Sequence, residues 1–399
     1  MDKIIETDIL VCGSGIIGLT IAKRLIDTGY KNILIIDKEE NSGEHASGRN
    51  SGVLHSGIYY PNDTLKAQFT LQGNHLMKEY CIKNNLPICE SGKVVVTNND
   101  EEINTLNELY NRAKDNGAKV EIINKKKLKE IEPYAKTYKE ALYVHDTTVV
   151  DPKKILLCLT NELVSSGKVK ILYNTSFSSL NNDNVAKTSS GLIKFDIFIN
   201  AAGAYGDKIS HSFGIGLNYK IIPFKGIYKK LVHNKSSFVN GNIYPVPDIN
   251  NPFLGIHLTK SINGDVYIGP TAIPAFGREN YDIIKGIDSE VFDILFREGV
   301  LFFSNKKFRN IALEEPKKYW FKYFFNDVQK LISDITPNDI EYSSKVGIRP
   351  QLVNWKNKEL VMDFLIKKEG NSVHILNSIS PAFTCSMAFS KFVVDNYIT

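Results

Sequence analysis

The stretch from Asp8 to Asp37 reads DILVC-GSGIIG-LTIAKRLIDTGYKN-ILII-D and decides the fold class. A short apolar strand runs directly into a glycine-rich turn, a helical pattern follows, and a second apolar strand ends in an acid. Gly13 permits the tight turn, Gly15 lets the backbone approach a pyrophosphate, and Gly18 lets the helix pack closely on the strand. The spacing therefore predicts a βαβ unit that binds a dinucleotide, which a bare Gly-x-Gly-x-x-Gly would not establish.

The groups at the two ends of this unit indicate how the dinucleotide is held. The helix N-terminus at Ile16 and Ile17 offers backbone N–H groups and a partial positive charge to the phosphates. Asp37 can accept hydrogen bonds from a ribose 2′-hydroxyl and would repel a 2′-phosphate, which argues against NADP. The adjacent Lys38 is included among the predicted cofactor contacts.

The next segment, residues 43–60, reads GEHASGRNSGVLHSGIYY and follows neither a helical nor a strand period. Its glycines, hydroxyls and histidines predict irregular backbone that lies close to a bound group. A surface loop is the alternative, but it would not need such closely spaced glycines beside an apolar core. The predicted cofactor contacts in this segment are Ser47, Arg49, Asn50, Ser51 and Gly52.

Longer runs carry a more specific signal than the glycine fingerprint. They are residues 48–60, 64–67, 242–248, 252–259, 269–270, 275–276 and 278–279. Together they resemble the L-2-hydroxyglutarate dehydrogenase/oxidase family of the D-amino-acid-oxidase-like FAD-dependent oxidoreductases. The resemblance covers nearly the whole chain and implies FAD as the cofactor. It also implies an α/β fold, in which a Rossmann-like FAD-binding domain is interleaved with an α+β substrate domain on a mostly antiparallel sheet.

The domain ranges follow from this likeness and from the alternation of patterns along the chain. The FAD-binding domain is expected at 1–88, 145–220 and 345–399. The substrate domain is expected at 89–144 and 221–344. Within the second of these ranges we expect a strand beginning at Leu254 and two helices between residues 288 and 337.

Two later turns resemble further flavin contacts. The strand Phe195–Asn200 runs into a small-residue turn similar to the second dinucleotide contact of FAD proteins, although an ordinary strand-to-helix turn is the alternative. Near the C-terminus, Ser380 is the predicted N-cap of a helix with Pro381 in its first turn. By the family's topology, the positive end of this helix would stabilise charge on the reduced flavin; as sequence alone, it is merely a capped helix. The predicted contacts are Ala202, Gly203, Ser380, Pro381 and Ala382.

The resemblance implies oxidation of a 2-hydroxy acid, most specifically L-2-hydroxyglutarate to 2-oxoglutarate, by hydride transfer to flavin N5. Arg349, framed by Gly347 and Pro350, is expected to fork onto a substrate carboxylate, a geometry that lysine does not copy. A surface salt bridge is the alternative. Lys225 would meet a second carboxylate or be a solvated strand lysine, and His257 would contact substrate or be a satisfied core histidine.

His55 is the predicted catalytic residue, together with Arg349. Histidine titrates in the range needed to accept the hydroxyl proton of the substrate. His55 could instead hydrogen-bond the flavin, attach to it covalently, or be structural. Tyr60 and Lys66 are expected to line the same pocket.

Departures from the family pattern leave the exact acid open. Asp37 stands where the family usually has glutamate, and Gly277 stands where it has lysine. If that lysine is a substrate-side cation, the distal carboxylate of 2-hydroxyglutarate loses a partner. An amino-acid oxidase acting on a C–N bond therefore stays an alternative. So does a nucleotide-binding protein without activity, against which the presence of both His55 and Arg349 argues.

Composition excludes other classes. The chain has 399 residues, enough for two domains, and its net charge of +5 comes from scattered lysines, so we expect no nucleic-acid partner. Five cysteines without a Cys-x-x-Cys pair suit a reducing cytosol and no structural metal. We expect neither a secretory signal nor a transmembrane segment. The electron acceptor would be oxygen or a membrane quinone, and the location cytoplasmic, with peripheral contact at the inner face of the membrane left open.

Overall fold

The computed structural model describes residues 4–182, 184–248 and 253–398. Of the runs used above, Pro252 lies outside the described residues. The chain divides into two compact units, each made of several segments. The first unit comprises Met1–Arg49, Pro152–Ile222 and Arg349–Thr399, and the second comprises Asn50–Asp151 and Pro223–Ile348.

The strands of the described chain are numbered in chain order. They are β1 (Ile5–Cys12), β2 (Ile33–Ile36), β3 (Val53–Leu54), β4 (Ile88–Cys89), β5 (Lys93–Val96), β6 (Val120–Asn124), β7 (Glu140–Val144), β8 (Thr148–Val150), β9 (Val169–Leu172), β10 (Phe177–Asn182), β11 (Val185–Thr188), β12 (Gly191–Asn200), β13 (Tyr219–Leu231), β14 (Asn242–Pro245), β15 (His257–Lys260), β16 (Val266–Gly269), β17 (Ile273–Pro274), β18 (Ile340–Asn354), β19 (Glu359–Leu360), β20 (Leu365–Glu369) and β21 (Ser372–Asn377).

The helices follow the same numbering. They are α1 (Ile16–Asp27), α2 (Ala46–Arg49), α3 (Leu65–Lys83), α4 (Asp100–Asp115), α5 (Lys125–Ile131), α6 (Pro152–Ser165), α7 (Gly206–Ser212), α8 (Val291–Ser304), α9 (Lys306–Glu314), α10 (Phe321–Leu331) and α11 (Ala382–Tyr397), with short 3₁₀ turns at Gly203–Tyr205, His233–Phe238, Glu315–Tyr319 and Pro337–Asp339.

The first unit is built on a largely parallel sheet whose central strands carry the glycine turn. Strand β1 pairs in parallel with β12 on one side and with β2 on the other, and β2 pairs in parallel with β9. Strand β21 continues this arrangement beside the end of β12. In such sheets ligands bind beyond the carboxyl ends of the strands. The ends of β1, β2 and β12 therefore mark the place to look for a cofactor site.

Burial explains why these strands lie at the centre of the unit. All four residues of β2 are buried, a continuous apolar run that is typical of a parallel strand covered on both faces. On one face Leu10, Leu34 and Phe195 share an apolar cluster. Helix α1 packs against α6 and α11, and Arg24 pairs with Asp395 at 2.6 Å between α1 and α11.

The second unit contains the mostly antiparallel sheet that the sequence predicts. Its strand order is β18-β13-β16-β15-β14-β5-β7-β6, with residues 340–348 of β18 and 223–231 of β13 belonging to this unit. Strands β14 and β5 pair in parallel, whereas β15 with β16 and β5 with β7 are antiparallel. A small second sheet has the order β3-β8-β4. The fold class predicted from the sequence is confirmed.

Residues 50–88 cluster with the second unit, whereas the sequence analysis assigns them to the FAD-binding domain. Long-range hydrogen bonds account for this difference. The side-chain amide of Asn116, in the predicted substrate domain, donates to the carbonyl oxygens of Gly57 at 3.0 Å and of Tyr60 at 2.9 Å. The boundaries of the compact units thus differ from those of the predicted domains. Cofactor binding by residues 50–88 stays a prediction.

Two local expectations are wrong. Three α-helices, not two, lie between residues 288 and 337, because Asn305 ends α8 and its side chain caps α9 by accepting from the N–H of Phe308 at 2.9 Å. The strand expected from Leu254 begins at His257 instead. Gly255 before it has φ +77°, a left-handed conformation that interrupts a strand.

Candidate functional site

The glycine turn after β1 is packed so closely that side chains would not fit. Gly13 has φ +109°, and a Cβ there would lie 2.6 Å from the carbonyl oxygen of Ala201. A Cβ on Gly18 would lie 1.9 Å from the carbonyl oxygen of Gly13. These clashes are with backbone, so they are not relieved by rotating a side chain. The turn thus has the close strand-to-helix geometry that a dinucleotide fingerprint requires.

Asp37 at the end of β2 is tied to this turn. Its carboxylate accepts hydrogen bonds from the backbone N–H and the hydroxyl of Ser14, at 2.7 and 2.6 Å, and from the N–H of Glu39 at 3.0 Å. The carboxylate is therefore held at the carboxyl edge of the sheet. Ser14 was not predicted from the sequence to be part of the site. The available signal was its hydroxyl between Gly13 and Gly15, at the end of the strand that neighbours the one leading into Asp37.

The N-terminus of α1 is completed by a hydroxyl from a distant part of the chain. Gly15 is the N-cap residue and has no side chain to offer, while Ser47 Oγ accepts from the N–H of Ile16 at 2.9 Å. A Cβ on Gly15 would lie 3.0 Å from Ser47 Oγ. Ile17, the next residue of α1, is buried. The predicted contacts Ile16 and Ser47 thus lie together at the positive end of a helix.

Lys38 and Arg49 lie in the first unit with defined partners. Lys38 Nζ contacts the carboxylate of Glu39 and lies 3.0 Å from His45 Nε2. Burial alone would raise the pKa of Glu39, but hydrogen bonds and charge from Lys38 and His45 lower it. Arg49 Nε donates to the carbonyl oxygen of Glu44 at 2.7 Å.

The turn after β12 is organised by Asn200. Its side-chain amide donates to the carbonyl oxygen of Gly206 at 2.8 Å, and its Oδ1 accepts from the N–H of Ala202 at 3.3 Å. Gly203 begins the 3₁₀ turn with φ +53°, and a Cβ there would meet open space. Of the two predicted contacts here, Gly203 is thus exposed at the surface of the unit, whereas Ala202 is half-buried and packs against an apolar cluster.

The predicted N-cap of the last helix is wrong by one residue. Pro381, not Ser380, is the N-cap of α11, and it provides no side-chain cap hydrogen bond. The cause is the preceding turn, in which the N–H of Ala382 donates to the carbonyl oxygen of Ile379 at 3.0 Å. Helical backbone therefore starts at Ala382. The three residues still lie at the N-terminal end of a buried helix, as the proposed flavin contact needs.

In the second unit, the backbone around His55 is fixed by one amide. The side chain of Asn74 donates to the carbonyl oxygens of Leu54 and His55, both at 3.1 Å. Before it, Asn50 Oδ1 accepts from the N–H of Gly52 at 2.8 Å, so Asn50, Ser51 and Gly52 form a tight turn into β3. This turn contains the remaining predicted cofactor contacts.

His55 is buried against Tyr244. The two rings meet edge to face with centroids 6.5 Å apart. Burial, aided by the charges of Lys93 and His257, lowers the pKa of His55 to about 3. His55 is therefore a neutral imidazole at physiological pH.

His257 lies on the other side of the same tyrosine. Its ring stacks on Tyr244 with centroids 3.8 Å apart, and its Nδ1 lies 2.9 Å from the carbonyl oxygen of Gly255. Because a carbonyl oxygen only accepts, Nδ1 carries the proton and Nε2 keeps the lone pair. Burial lowers the pKa of His257 to about 3 against the opposing effect of the Gly255 hydrogen bond.

Lys93, which was not predicted from the sequence, belongs to this group. Lys93 is 1% exposed, and its Nζ lies 5.0 Å from the ring centroid of Tyr244. It also donates to the hydroxyl of Tyr59 at 3.1 Å. We call His55, Tyr59, Lys93, Tyr244 and His257 the histidine–lysine cluster. The available signal was a lysine at the head of the apolar run Val94–Val96.

The other predicted substrate contacts are placed as follows. Lys225 is buried and donates to the carbonyl oxygen of Asp282 at 2.7 Å, so its interpretation as a solvated strand lysine is wrong. Lys66 is buried, with Nζ 5.5 Å from the ring centroid of Tyr60. In the first unit, Arg349 is half-buried, and its Nη2 lies 3.4 Å from Gln351 Oε1. The role of each in substrate binding stays a prediction.

Comparison with known proteins places this geometry in a class. The family model described as FAD dependent oxidoreductase matches residues 8–396. L-2-hydroxyglutarate dehydrogenase from Indibacter alkaliphilus is 32% identical over 395 residues, which cover 98% of each chain. The enzyme of that name from Escherichia coli K12 is 32% identical over 98% of this chain and 93% of its own.

A solved structure agrees at the level of the fold. The dithionite-reduced L-alpha-glycerophosphate oxidase from Mycoplasma pneumoniae, with FAD bound, superimposes with a TM-score of 0.76 at 20% identity, over 98% of this chain and 95% of that one. The fold, the glycine turn after β1 and the matching family model thus define the class as the FAD-dependent oxidoreductases. The chain belongs to this family and, within it, to the group of the L-2-hydroxyglutarate dehydrogenases.

Proposed function

We propose that the protein oxidises L-2-hydroxyglutarate to 2-oxoglutarate. Similarity over nearly the whole chain to proteins named for this activity supports the substrate. The histidine–lysine cluster is the observation that supports the chemistry, because it joins two neutral imidazoles to a buried lysine that can become a cation. An anionic hydroxy acid needs both a proton acceptor and positive charge. FAD, when bound, supplies the oxidant that takes a hydride from the carbon bearing the hydroxyl.

In this proposal His55 accepts the hydroxyl proton of the substrate. His55 is unprotonated before reaction, and Asn74 holds its backbone in place. Because a pKa of about 3 makes a weak base, this role needs the negative charge of the bound substrate, which raises the pKa of a nearby histidine. His257 is the second candidate base, since its Gly255 hydrogen bond leaves Nε2 as the basic nitrogen. Replacing each histidine by asparagine distinguishes the two roles. Loss of the base should lower kcat and change its dependence on pH, whereas loss of a residue that only binds substrate should chiefly raise KM.

Arg349 is proposed to bind the carboxylate next to the reacting carbon, through paired N–H donors. Lys225, Tyr60 and Lys66 belong to the same proposal as residues that line the substrate site. The predicted cofactor contacts keep their roles here as well, including Asn50, Ser51 and Gly52 in the second unit.

The test is anaerobic reduction of the purified protein. Oxidised-flavin absorption bands that bleach on addition of L-2-hydroxyglutarate would support the proposal. Bands that persist with this acid but bleach with glycine, sarcosine or proline would replace it by the alternative, an amino-acid oxidase or dehydrogenase acting on a C–N bond. A colourless protein that does not take up added FAD would contradict both.

For the electron acceptor we propose a membrane quinone, reached by peripheral docking at the cytoplasmic face of the membrane. No helix in the described part of the chain combines the length and apolar character needed to cross a bilayer. However, Phe292, Phe296 and Phe303 follow one face of α8 and are each at least 67% exposed. Trp320 and Tyr323, near the start of α10, are also exposed. Exposed aromatic residues of this kind are typical of helices that lie in a membrane interface.

Exposed basic residues lie on the helices that follow α8. Lys306 and Lys307, directly after α8, and Lys322 on α10 are exposed. Aromatic residues enter the headgroup region while lysines attract anionic lipid. A surface serving only solubility would not expose three phenylalanines on one helical face.

Co-sedimentation with vesicles of phosphatidylcholine and phosphatidylglycerol tests the docking. The double variant Phe292→Ser, Phe296→Ser should lose most of its vesicle binding, whereas Leu157→Ser, at an equally exposed position on α6, should keep it. Equal binding by both variants, or electron transfer to oxygen as fast as to a quinone analogue in vesicles, would contradict this part of the proposal.

A further inference from the structure

Lys93 occupies a position that is unusual for a charged side chain. It is the first residue of β5, an inner strand that pairs with β7 and β14, and it is 1% exposed. The three residues after it are buried valines. Lysine is almost never fully buried without a paired anion, because removing its charge from water costs several kcal/mol.

The neighbours of Lys93 supply no such anion. Its Nζ donates to the hydroxyl of Tyr59 at 3.1 Å and lies 4.5 Å from the ring centroid of Tyr59 and 5.0 Å from that of Tyr244. Among the residues that the structure describes, no carboxylate contacts it. Aromatic faces offset part of the charge, but they do not neutralise it. Burial accordingly lowers the pKa of Lys93 to about 7.

The titratable groups around Lys93 supply no negative charge either. His55 and His257, whose pKa values are lowered by burial and by the charge of Lys93, are neutral at physiological pH. Burial raises the pKa of Tyr59 and of Tyr244, so both phenols also stay neutral. The histidine–lysine cluster thus contains no negative charge and one amine that becomes positive when it takes a proton, an arrangement that favours an anionic ligand.

We infer that Lys93 binds the distal carboxylate of the substrate and thereby selects 2-hydroxy dicarboxylates over 2-hydroxy monocarboxylates. This inference rests on the proposed function and deepens it. Gly277 stands where the resembled family has a lysine, so a cation at that position is absent from this chain. Lys93 supplies a cation that the linear pattern does not show.

Lys225, the other candidate for this carboxylate, is a weaker choice on its contacts. Its ammonium group already donates to the carbonyl oxygen of Asp282 at 2.7 Å. Although burial lowers its pKa, the charge of Asp282 opposes that change. Lys93 has a neutral hydroxyl and two rings as its partners, so an incoming carboxylate gains more there.

The test compares two acids of equal carbon number, L-2-hydroxyglutarate and L-2-hydroxyvalerate, which lacks the distal carboxylate. Replacing Lys93 by methionine should lower kcat/KM for the dicarboxylate by roughly 10- to 150-fold, the range expected for one charge-assisted hydrogen bond. The change should appear mainly in KM. For the monocarboxylate it should stay below about threefold, because no interaction with that acid is lost.

Lys229→Met is the matched control. Lys229 lies in the same sheet, over the rings of Phe321 and Phe324 at 5.5 and 5.7 Å, and burial also lowers its pKa. It contacts no histidine of the cluster, so its replacement should leave the preference between the two acids unchanged. Retained flavin absorption in both variants shows that they are folded.

Binding without turnover gives a second readout. Glutarate, which has no hydroxyl to oxidise, should be bound with net proton uptake near pH 8, because an anion beside Lys93 raises its pKa and the amine takes a proton. Calorimetry in buffers of different ionisation enthalpy measures this uptake, which should vanish in Lys93→Met.

The outcomes separate this inference from the proposed function. Wild-type flavin that L-2-hydroxyglutarate does not reduce contradicts the proposed function, whatever the variants do. If the wild type reacts but Lys93→Met loses both acids equally, or neither, then Lys93 does not bind the distal carboxylate. Proton uptake that persists in Lys93→Met would overturn the inference as well.

Discussion

The two units treat buried charge in opposite ways. In the first unit, the Asp37 carboxylate accepts from two groups of Ser14 and from the N–H of Glu39. In the second unit, Lys93 is more deeply buried and has one neutral hydroxyl and two tyrosine rings as its partners. Asp37 is thus held by the chain itself, whereas Lys93 lacks a counter-charge until a ligand supplies one.

This difference suggests what each region does in the protein. We call the glycine turn after β1, together with Asp37 and Ser47, the cradle. Its hydrogen bonds are already formed, so the proposed binding of the cofactor would need no rearrangement there. A cluster with a buried ammonium group and no counter-charge lowers the stability of the protein. An anionic ligand supplies the missing charge and a neutral one does not, so the cluster favours anionic ligands. Removing the Lys93 ammonium group should therefore raise the stability of the protein and weaken its preference for dicarboxylates.

The largest effect is expected from breaking the preformed cradle. Replacing Gly18 by alanine places a Cβ 1.9 Å from the carbonyl oxygen of Gly13, so the turn must move. The N–H groups of α1 would then no longer point together at the pyrophosphate. We expect the variant to purify without flavin colour and to show no saturable FAD binding in a fluorescence titration.

The control for this change is Gly299→Ala in the middle of α8. No heavy atom lies within 4 Å of a Cβ built there, so no clash results. This variant should keep its flavin and gain up to about 1 kcal/mol in stability from the better helix former. A yellow Gly18→Ala protein with wild-type affinity for FAD would show that the tight turn is not needed for the cofactor.

A smaller effect is expected from Lys93→Met, which should raise rather than lower the stability of the protein. The pKa of Lys93 is about 7 in the folded protein against an ordinary 10.5. Below pH 7 both folded and unfolded states hold the proton, so the full penalty of the buried charge is present. Between pH 7 and 10.5 the unfolded state binds more protons, so wild-type stability rises with pH. At pH 6.5 the methionine variant should be more stable by a few kcal/mol, an order-of-magnitude figure.

Urea denaturation of the holoprotein without substrate measures this difference. The midpoint of Lys93→Met should exceed that of the wild type at pH 6.5, and the gap should narrow at pH 9.5. Lys229→Met, whose lysine is only half-buried, should show a smaller gap at both values. A less stable Lys93→Met protein at pH 6.5 would mean that the tyrosine rings already compensate the charge.

The parts of the molecule that the sequence predicted are those with local causes. The apolar run Ile33–Ile36 and the glycines around α1 determine their own conformation, so strand, turn and helix lie where the pattern puts them. The cap of α11 was misplaced by one residue, because the choice between Ser380 and Pro381 depends on a turn that closes on Ile379.

The missed features depend on contacts between residues far apart in the chain. Lys93 looks like the solvated first residue of a strand until the fold brings Tyr59 and Tyr244 to it. The division of the chain after Arg49 likewise depends on bonds such as those of Asn116 to Gly57 and Tyr60, which no local period records. Resemblance to a family drew attention to His55 and His257, and it did not extend to Lys93.

The smallest effect concerns the completeness of the cradle. Ser47 Oγ accepts from the N–H of Ile16 at 2.9 Å, so Ser47→Ala leaves one donor of α1 without this partner. Loss of such a cap costs about 1 kcal/mol, which would appear as roughly a fivefold weaker affinity for FAD in a titration of the apoprotein. Thr64→Ala removes a similar cap from α3 in the second unit and should leave FAD affinity unchanged. If both variants bind FAD like the wild type, Ser47 contributes to the helix alone, and the cradle is complete without its hydroxyl.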